Sequence, residues 1–238
     1  MPNVVSLKNL PKAARPREKM ISMGASALSD SELLALLLRT GTTGKGVFEM
    51  AQDLLQLPRK SDAGGPRLPG IAGLLSATPG DLASVRGLGP AKLASIFAVL
   101  ELARRALAQQ LQAQPVLSSP DTMKHFLQLQ LAALHHEVFA VCFLNAQNRL
   151  MAFEILFRGT LRETSVYPRE VALRALHHGA TALVLSHNHP SGSVQPSAAD
   201  IRLTRALKDC LQLIDVRVLD HIIVAPGMAL SMAERDFM

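Results

Sequence analysis

The pattern of apolar positions changes character at about residue 115. Before it, apolar residues come in helical stretches broken by turn residues. Residues 33–38 form the run Leu-Leu-Ala-Leu-Leu-Leu, entered through Ser29-Asp30-Ser31-Glu32, which offers an N-cap and early acids, and stopped by Gly41. Residues 47–57 predict a second helix closed by Pro58. Gly64-Gly65-Pro66 and Pro69-Gly70 mark residues 59–70 as a surface loop. Short helices are expected over 71–76 and 81–84, and a long one over 91–112. Pro115 marks the expected boundary between a helical domain, 1–115, and a second domain, 116–238.

Beyond the boundary, helical and strand-like patterns alternate. Residues 122–134 are amphipathic, with Phe126, Leu127, Leu131 and Leu134 near one face. Residues 138–144 and 150–157 are continuous apolar runs separated by Asn145-Ala146-Gln147-Asn148, a hairpin of two mostly buried strands. Pro168 opens a helix that runs to His178 and stops at Gly179. A buried strand over 181–186, a helix over 197–213 and a strand over 216–225 complete the order α-β-β-α-β-α-β. The helix places Leu203, Leu207, Cys210, Leu211 and Ile214 on its inner side. The fold class is therefore α/β: a helical N-terminal domain followed by an α/β sandwich with a mixed sheet.

Composition narrows the classes. With 48% hydrophobic and 18% charged residues among 238, the chain has ample apolar surface for a core, which excludes disorder as its main state. Its apolar runs fall short of the roughly 18 residues that cross a bilayer, and residues 1–10 lack a secretory h-region. A cytoplasmic protein without membrane contact is expected. Cys142 and Cys210 are too few for a disulfide framework, and both lie in apolar runs where a reduced thiol is at home. Charge and histidine separate the halves. Residues 1–115 hold 14 basic and 8 acidic residues, the whole of the +6 net charge, while all eight histidines lie beyond residue 115. The first half is suited to polyanions, the second to acid–base or metal chemistry.

The chemistry concentrates in His187-Asn188-His189-Pro190-Ser191-Gly192, followed by Ser197-Ala198-Ala199-Asp200. Residues i and i+2 of an extended backbone point the same way, so a strand end at 186 places two imidazoles side by side. Asp200, in the first turn of the next helix, can fold back to them. Two imidazoles and one carboxylate suit Zn²⁺ and leave a fourth tetrahedral position open. Two plainer readings stand beside this one. Ser197-x-x-Asp200 is also a capping box, and a histidine pair at a strand end is often a solvated turn. Glu137, opening the first strand, is a candidate acid/base group, with Glu154 and Glu170 as competitors. His135-His136 and His177-His178 sit at helix ends, where cations are favoured. His221, after Asp220, is either a satisfied structural histidine or a group behind the ligands.

Glu137, His187-x-His189-Pro190, Ser197 and Asp200 together resemble the JAMM signature of zinc metalloproteases with the MPN fold. The wording His-Asn-His-Pro-Ser-Gly, with Leu219-Asp220-His221, looks like the bacterial RadC family within that group. Arg15-Pro16-Arg17-Glu18-Lys19 and Glu32-Leu33-Leu34-Ala35 look like its amino-terminal segment. One departure is Asn188, where JAMM peptidases usually carry Ser or Thr. The resemblance implies His187, His189 and Asp200 as zinc ligands, Glu137 as general acid/base and Ser197 as a hydrogen-bonding group near the reacting oxygen. It implies a metallopeptidase or isopeptidase acting on a protein or peptide, with a family link to DNA repair.

Val85-Arg86-Gly87-Leu88-Gly89-Pro90-Ala91-Lys92 resembles a helix-hairpin-helix element. Arg86, Gly87, Gly89 and Lys92 are its candidate DNA-binding residues, through backbone approach and charge at a phosphate. A tight interhelical turn serving only packing fits the same residues. The rival function is accordingly a non-specific DNA-binding, repair-associated protein whose zinc site is structural or vestigial. A zinc nucleotide deaminase shares the sandwich architecture but requires HxE and PCxxC motifs, and the chain has neither.

Overall fold

The computed structural model describes residues 11–56, 70–75, 77, 79–83, 85–118, 120–159 and 166–238. Residues 1–10, the loop expected over 59–70 apart from Gly70, and the expected helix ends Ser76 and Ser84 lie outside the described residues. The described chain forms two compact units, residues up to 101 and residues 102–238.

The first unit is built from α1 (Pro16–Met23), α2 (Asp30–Leu38), α3 (Val47–Leu55), α4 (Ile71–Leu75), α5 (Pro79–Ala83) and the start of α6 (Pro90–Ala113). α2 begins with a capping box: Ser29 Oγ accepts the Glu32 N–H at 3.3 Å, and the Glu32 carboxylate accepts the Ser29 N–H at 2.8 Å. α3 buries Val47, Met50, Ala51 and Leu54, the i, i+3, i+4, i+7 stripe of an amphipathic helix. These pack with Leu34, Leu38, Leu82 and Ile96 into the unit's core. α1 has no apolar stripe to announce it. Its signals are Pro16 at N1 and Gly24 just past its end, and Lys19 ties it to Glu32 on α2 at 2.9 Å.

Along α6, Leu107, Ala108 and Leu111 belong to the core of the second unit. The division by packing therefore falls at residue 101, inside this helix and ahead of Pro115.

The second unit is an α/β/α sandwich. Its sheet runs β2 (Leu150–Arg158), β1 (Val138–Leu144), β3 (Ala182–Asn188), β4 (Arg217–Ala225), β5 (Met228–Ser231). β3 and β4 are parallel, and the other neighbours are antiparallel, so the sheet is mixed. β1 is buried along its whole length because both its faces are covered. Ala140, Cys142 and Leu144 meet Met123, Phe126, Leu127 and Leu131 of α7 (Pro120–Leu131). Phe139, Val141 and Phe143 meet α8 (Pro168–His178) and α9 (Ala198–Gln212) through Val171, Ala175, Leu207 and Leu211. Each Leu or Phe so buried is worth about 1.5–3 kcal/mol.

Strand β5 lies outside the sequence expectation. It is brought back by a two-residue turn at Pro226-Gly227, with Gly227 at φ 76°. Pro at the first central position and a left-handed Gly at the second define a type II turn.

The period of β3 decides which side chains reach which layer. Leu183 and Leu185 face α8 and α9, so His187 follows them, whereas Ala182 and Val184 face α7 and Asn188 follows those. His221 of β4 is on the same side as His187, facing Thr204 of α9.

Candidate metal centre

His187 is the last residue but one of β3, and His189 directly follows the strand. The His189 N–H continues the ladder to the Val224 carbonyl at 2.8 Å, which holds both histidines in the same extended register. Gly192, at φ 92°, then turns the chain, its N–H bonded to the His189 carbonyl at 3.0 Å. Ser197 starts α9 and brings Asp200 back to the strand end.

Three side chains converge there. His187 Nε2 and His189 Nε2 are 2.9 Å apart. Asp200 Oδ1 lies 3.4 Å from the first and Oδ2 3.9 Å from the second. Among the described residues this is the group of His, Cys, Asp and Glu side chains that can share one ion, its ligand atoms all within 4.8 Å of one another. Bonds of about 2.0–2.2 Å in tetrahedral zinc sites set ligand atoms about 3.3–3.6 Å apart, within the span of the three contacts. The donor chemistry fits as well. His189 Nδ1 is 2.8 Å from the Ser193 carbonyl, which only accepts, so Nδ1 carries the proton and Nε2 presents its lone pair. That lone pair faces His187 across a short contact beside a carboxylate, an arrangement suited to a cation.

Burial drives the His187 pKa down, against the pull of the Asp200 carboxylate. The neutral imidazole is the ligand form. His221, fully buried, is also driven well below the usual histidine value by burial. It joins His187 Nδ1 at 2.8 Å through Nε2 and Thr204 Oγ1 at 2.6 Å through Nδ1.

Glu137 is half-buried at the mouth of β1. Desolvation raises its pKa, the His189 ring lowers it, and the Asp200 charge raises it again, so the carboxyl feels both residues. The two competitors are committed elsewhere. Glu154 on β2 binds the Arg174 guanidinium and lies 2.8 Å from His178 Nε2. The Arg174 bonds hold its pKa down at about 2. Glu170 pairs with Arg169 at 3.0 Å on the surface of α8.

Ser197, which the resemblance implies near the reacting oxygen, is bonded to the Asp200 carboxylate. Its Oγ accepts the Asp200 N–H at 3.1 Å and donates to Asp200 Oδ2 at 2.7 Å, and its N–H donates to the same Oδ2 at 2.7 Å. The hydroxyl proton is thereby used in aiming Asp200, with Oδ1 turned to His187. The capping box and the carboxylate position are one device.

The hairpin residues divide similarly. Lys92 Nζ donates to the Thr40 carbonyl at 2.6 Å, closing the exit of α2. Gly87 has φ 94°, and a Cβ there would collide with Thr42 Cγ2. Both residues take part in packing within the first unit. Arg86 and Gly89 remain exposed.

The histidine pairs stay outside the centre. His135, His136 and His177 are exposed, and His178 joins Glu154. Asp220 accepts the N–H groups of His221 at 2.7 Å and Ala233 at 3.0 Å, tying β4 to the C-terminal turn. Thr204 escaped sequence reasoning. Its signal was a hydroxyl residue on the buried face of α9, four places after Asp200.

A sandwich of this topology with this cluster at the end of β3 defines a JAB domain of the JAMM/MPN type. Residues 117–237 match the family described as RadC-like JAB domain, and residues 7–94 match the UPF0758 N-terminal family. The chain belongs to the UPF0758 family of RadC-like proteins. It is 64% identical to the UPF0758 protein of Albidiferax ferrireducens, over 98% of this chain and 99% of that one. It is 64% identical to that of Verminephrobacter eiseniae, over 97% and 98%. A third relative, the UPF0758 protein of Methylibium petroleiphilum, is 56% identical over 98% and 100%. The resemblance to the RadC family and the α/β fold with a mixed sheet are both borne out.

Proposed function

We propose that this protein is a zinc-dependent hydrolase that cleaves an amide or isopeptide bond in a protein or peptide. The observation that carries the reading is the convergence of His187 Nε2, His189 Nε2 and an Asp200 oxygen beside a half-buried carboxyl, Glu137. His187, His189 and Asp200 would hold the metal. When bound, zinc supplies Lewis acidity, acidifying water toward a pKa of about 7 and polarising a carbonyl.

The chain's own residues supply the rest. Glu137 accepts a proton from the attacking water and returns it to the leaving amine nitrogen, a role favoured by a carboxyl pKa raised above its ordinary value. Ser197 and the α9 N-terminus keep Asp200 aimed, and Ser193 and His221 hold the two rings from behind. No helix among the described residues is long and apolar enough to cross a membrane. Both cysteines are free, which suits a reducing compartment such as the cytoplasm, where we place the activity.

The test is elemental analysis of the purified full chain, followed by hydrolysis assays on a panel of isopeptide-linked and peptide substrates. Near one zinc per chain is expected, dropping in His187→Ala/His189→Ala and weakening in Asp200→Asn. Unchanged zinc content in the double variant overturns the metal assignment. Metal-loaded protein inert across the panel, with salt-sensitive DNA binding instead, favours the repair-associated rival.

A further inference from the structure

The two histidines of the centre are held differently from behind. The Nδ1 of His189 meets a loop carbonyl, Ser193. The Nδ1 of His187 points into the interior and meets another imidazole, His221 Nε2, at 2.8 Å. An imidazole partner settles nothing alone, because either ring can donate. What breaks the symmetry lies one step further in.

Thr204 Oγ1 lies 2.7 Å from the Asp200 backbone carbonyl and 2.6 Å from His221 Nδ1. A carbonyl oxygen only accepts, so the single hydroxyl hydrogen of Thr204 goes to Asp200. The second contact then needs its hydrogen from His221 Nδ1. A neutral imidazole has one N–H, so His221 Nε2 is an acceptor, and the hydrogen between the two rings belongs to His187 Nδ1. His187 is left with a lone pair on Nε2, the atom that faces His189 and Asp200. The opposite order would set two oxygen lone pairs against each other at 2.7 Å and put a hydrogen on His187 Nε2, where the ion is to sit. Thr204 and His221 are both 0% exposed, so water does not replace either partner.

We propose that Thr204 and His221 are positioning residues that lock His187 in the Nδ1–H tautomer and so present its Nε2 to the metal. This rests on the reading of the cluster as a metal centre. The relay does for a ligand facing the core what a carboxylate or carbonyl does behind most metal-binding histidines. It also couples His187 to Asp200 through α9, since Thr204 bonds the backbone carbonyl of Asp200 itself.

The experiment uses the full chain and zinc alone, measured by competition with a chelator, in the wild type, Thr204→Val and Thr204→Ser. It is paired with long-range nitrogen–proton spectra of ¹⁵N-histidine protein without metal. Thr204→Val keeps the shape and removes the hydroxyl, and zinc affinity should fall by about 10–100-fold, the range for groups behind a metal ligand. Thr204→Ser should restore it. The spectra of the wild type should show hydrogen on Nδ1 of both His187 and His221. Wild-type affinity in Thr204→Val, failure of Thr204→Ser to restore binding, or hydrogen on His187 Nε2 overturns the relay. A wild-type chain that takes up no zinc overturns the metal reading instead, and the metal-free spectra then decide the tautomer lock by themselves.

Discussion

Asn188 Oδ1 accepts the backbone N–H of Val138 at 2.8 Å, and its Nδ2 donates to the carbonyls of Leu134 at 3.2 Å and His136 at 3.1 Å. The residue between the two histidines thus uses its whole amide on the segment that carries Glu137. Strand alternation makes this possible, because Asn188 faces away from His187 and His189. A Ser or Thr at this position has too short a side chain and too few hydrogen-bonding atoms for all three bonds. The departure from the usual JAMM pattern is therefore a specific way of holding the segment that carries Glu137.

Asn188→Ala should strand a buried N–H and two carbonyls, lowering stability by about 2–4 kcal/mol. Urea unfolding of the full chain measures it. A loss below about 0.5 kcal/mol, on the order of a surface substitution, would show that water or a shifted backbone satisfies these groups.

Glu137→Gln should keep the zinc and lose about 10²–10⁴-fold in turnover, the range for general acid–base catalysis. The same change at Glu154 or Glu170 should leave turnover near wild type, since both carboxylates are paired elsewhere. Zinc content and hydrolysis of a substrate from the isopeptide panel separate the three.

Ser197→Ala removes the N-cap of α9 and one of two donors to Asp200 Oδ2. Stability should fall by about 0.5–2 kcal/mol, and zinc affinity should fall with it, because the freed carboxylate has more orientations to lose. Ser197→Asp retains a capping acceptor but repels Asp200, so it should recover less zinc affinity than stability.

Glu154 gives a pH signature. Its folded pKa of about 2 lies below the ordinary 4.5, so the Arg174 and His178 contacts stabilise the fold above that ordinary value and fade as pH falls toward about 2. Melting temperatures of wild type and Glu154→Gln should differ most near neutrality and converge in acid. A gap that persists at pH about 2 would place the effect in packing instead of charge.

Gly87→Ala and Lys92→Ala should destabilise the first unit. The former forces a side chain onto Thr42 at a left-handed φ, and the latter leaves the Thr40 carbonyl without its ammonium. Thermal melting reads both. If Lys92→Ala instead melts like wild type and weakens binding to unrelated duplexes, the phosphate role returns.

Much of the architecture was legible because it follows from local rules. Apolar runs at 138–144 and 150–157, Pro168 and Gly179 around one helix, and the Ser197 cap each act over a few residues, and the structure has them nearly in place, except that β2, expected to be mostly buried, lies at the sheet edge and buries only Leu150. The i, i+2 spacing of His187 and His189 likewise put two imidazoles on one side of an extended chain before any fold was known. α1 and β5 escape a reading by pattern because their signals are single residues, a Pro and a Gly at their ends, without an apolar period. What the residues do beyond their own stretch was decided by tertiary contact. Ser197 and Lys92 each had two chemically sound employments in sequence, and only the fold brought them to Asp200 and the Thr40 carbonyl. Thr204 gained its role from β4, whose His221 is 17 positions away. Hydrogen bonds between side chains so distant in sequence depend on which strand lies beside which, and strand order is a property of the packed sheet.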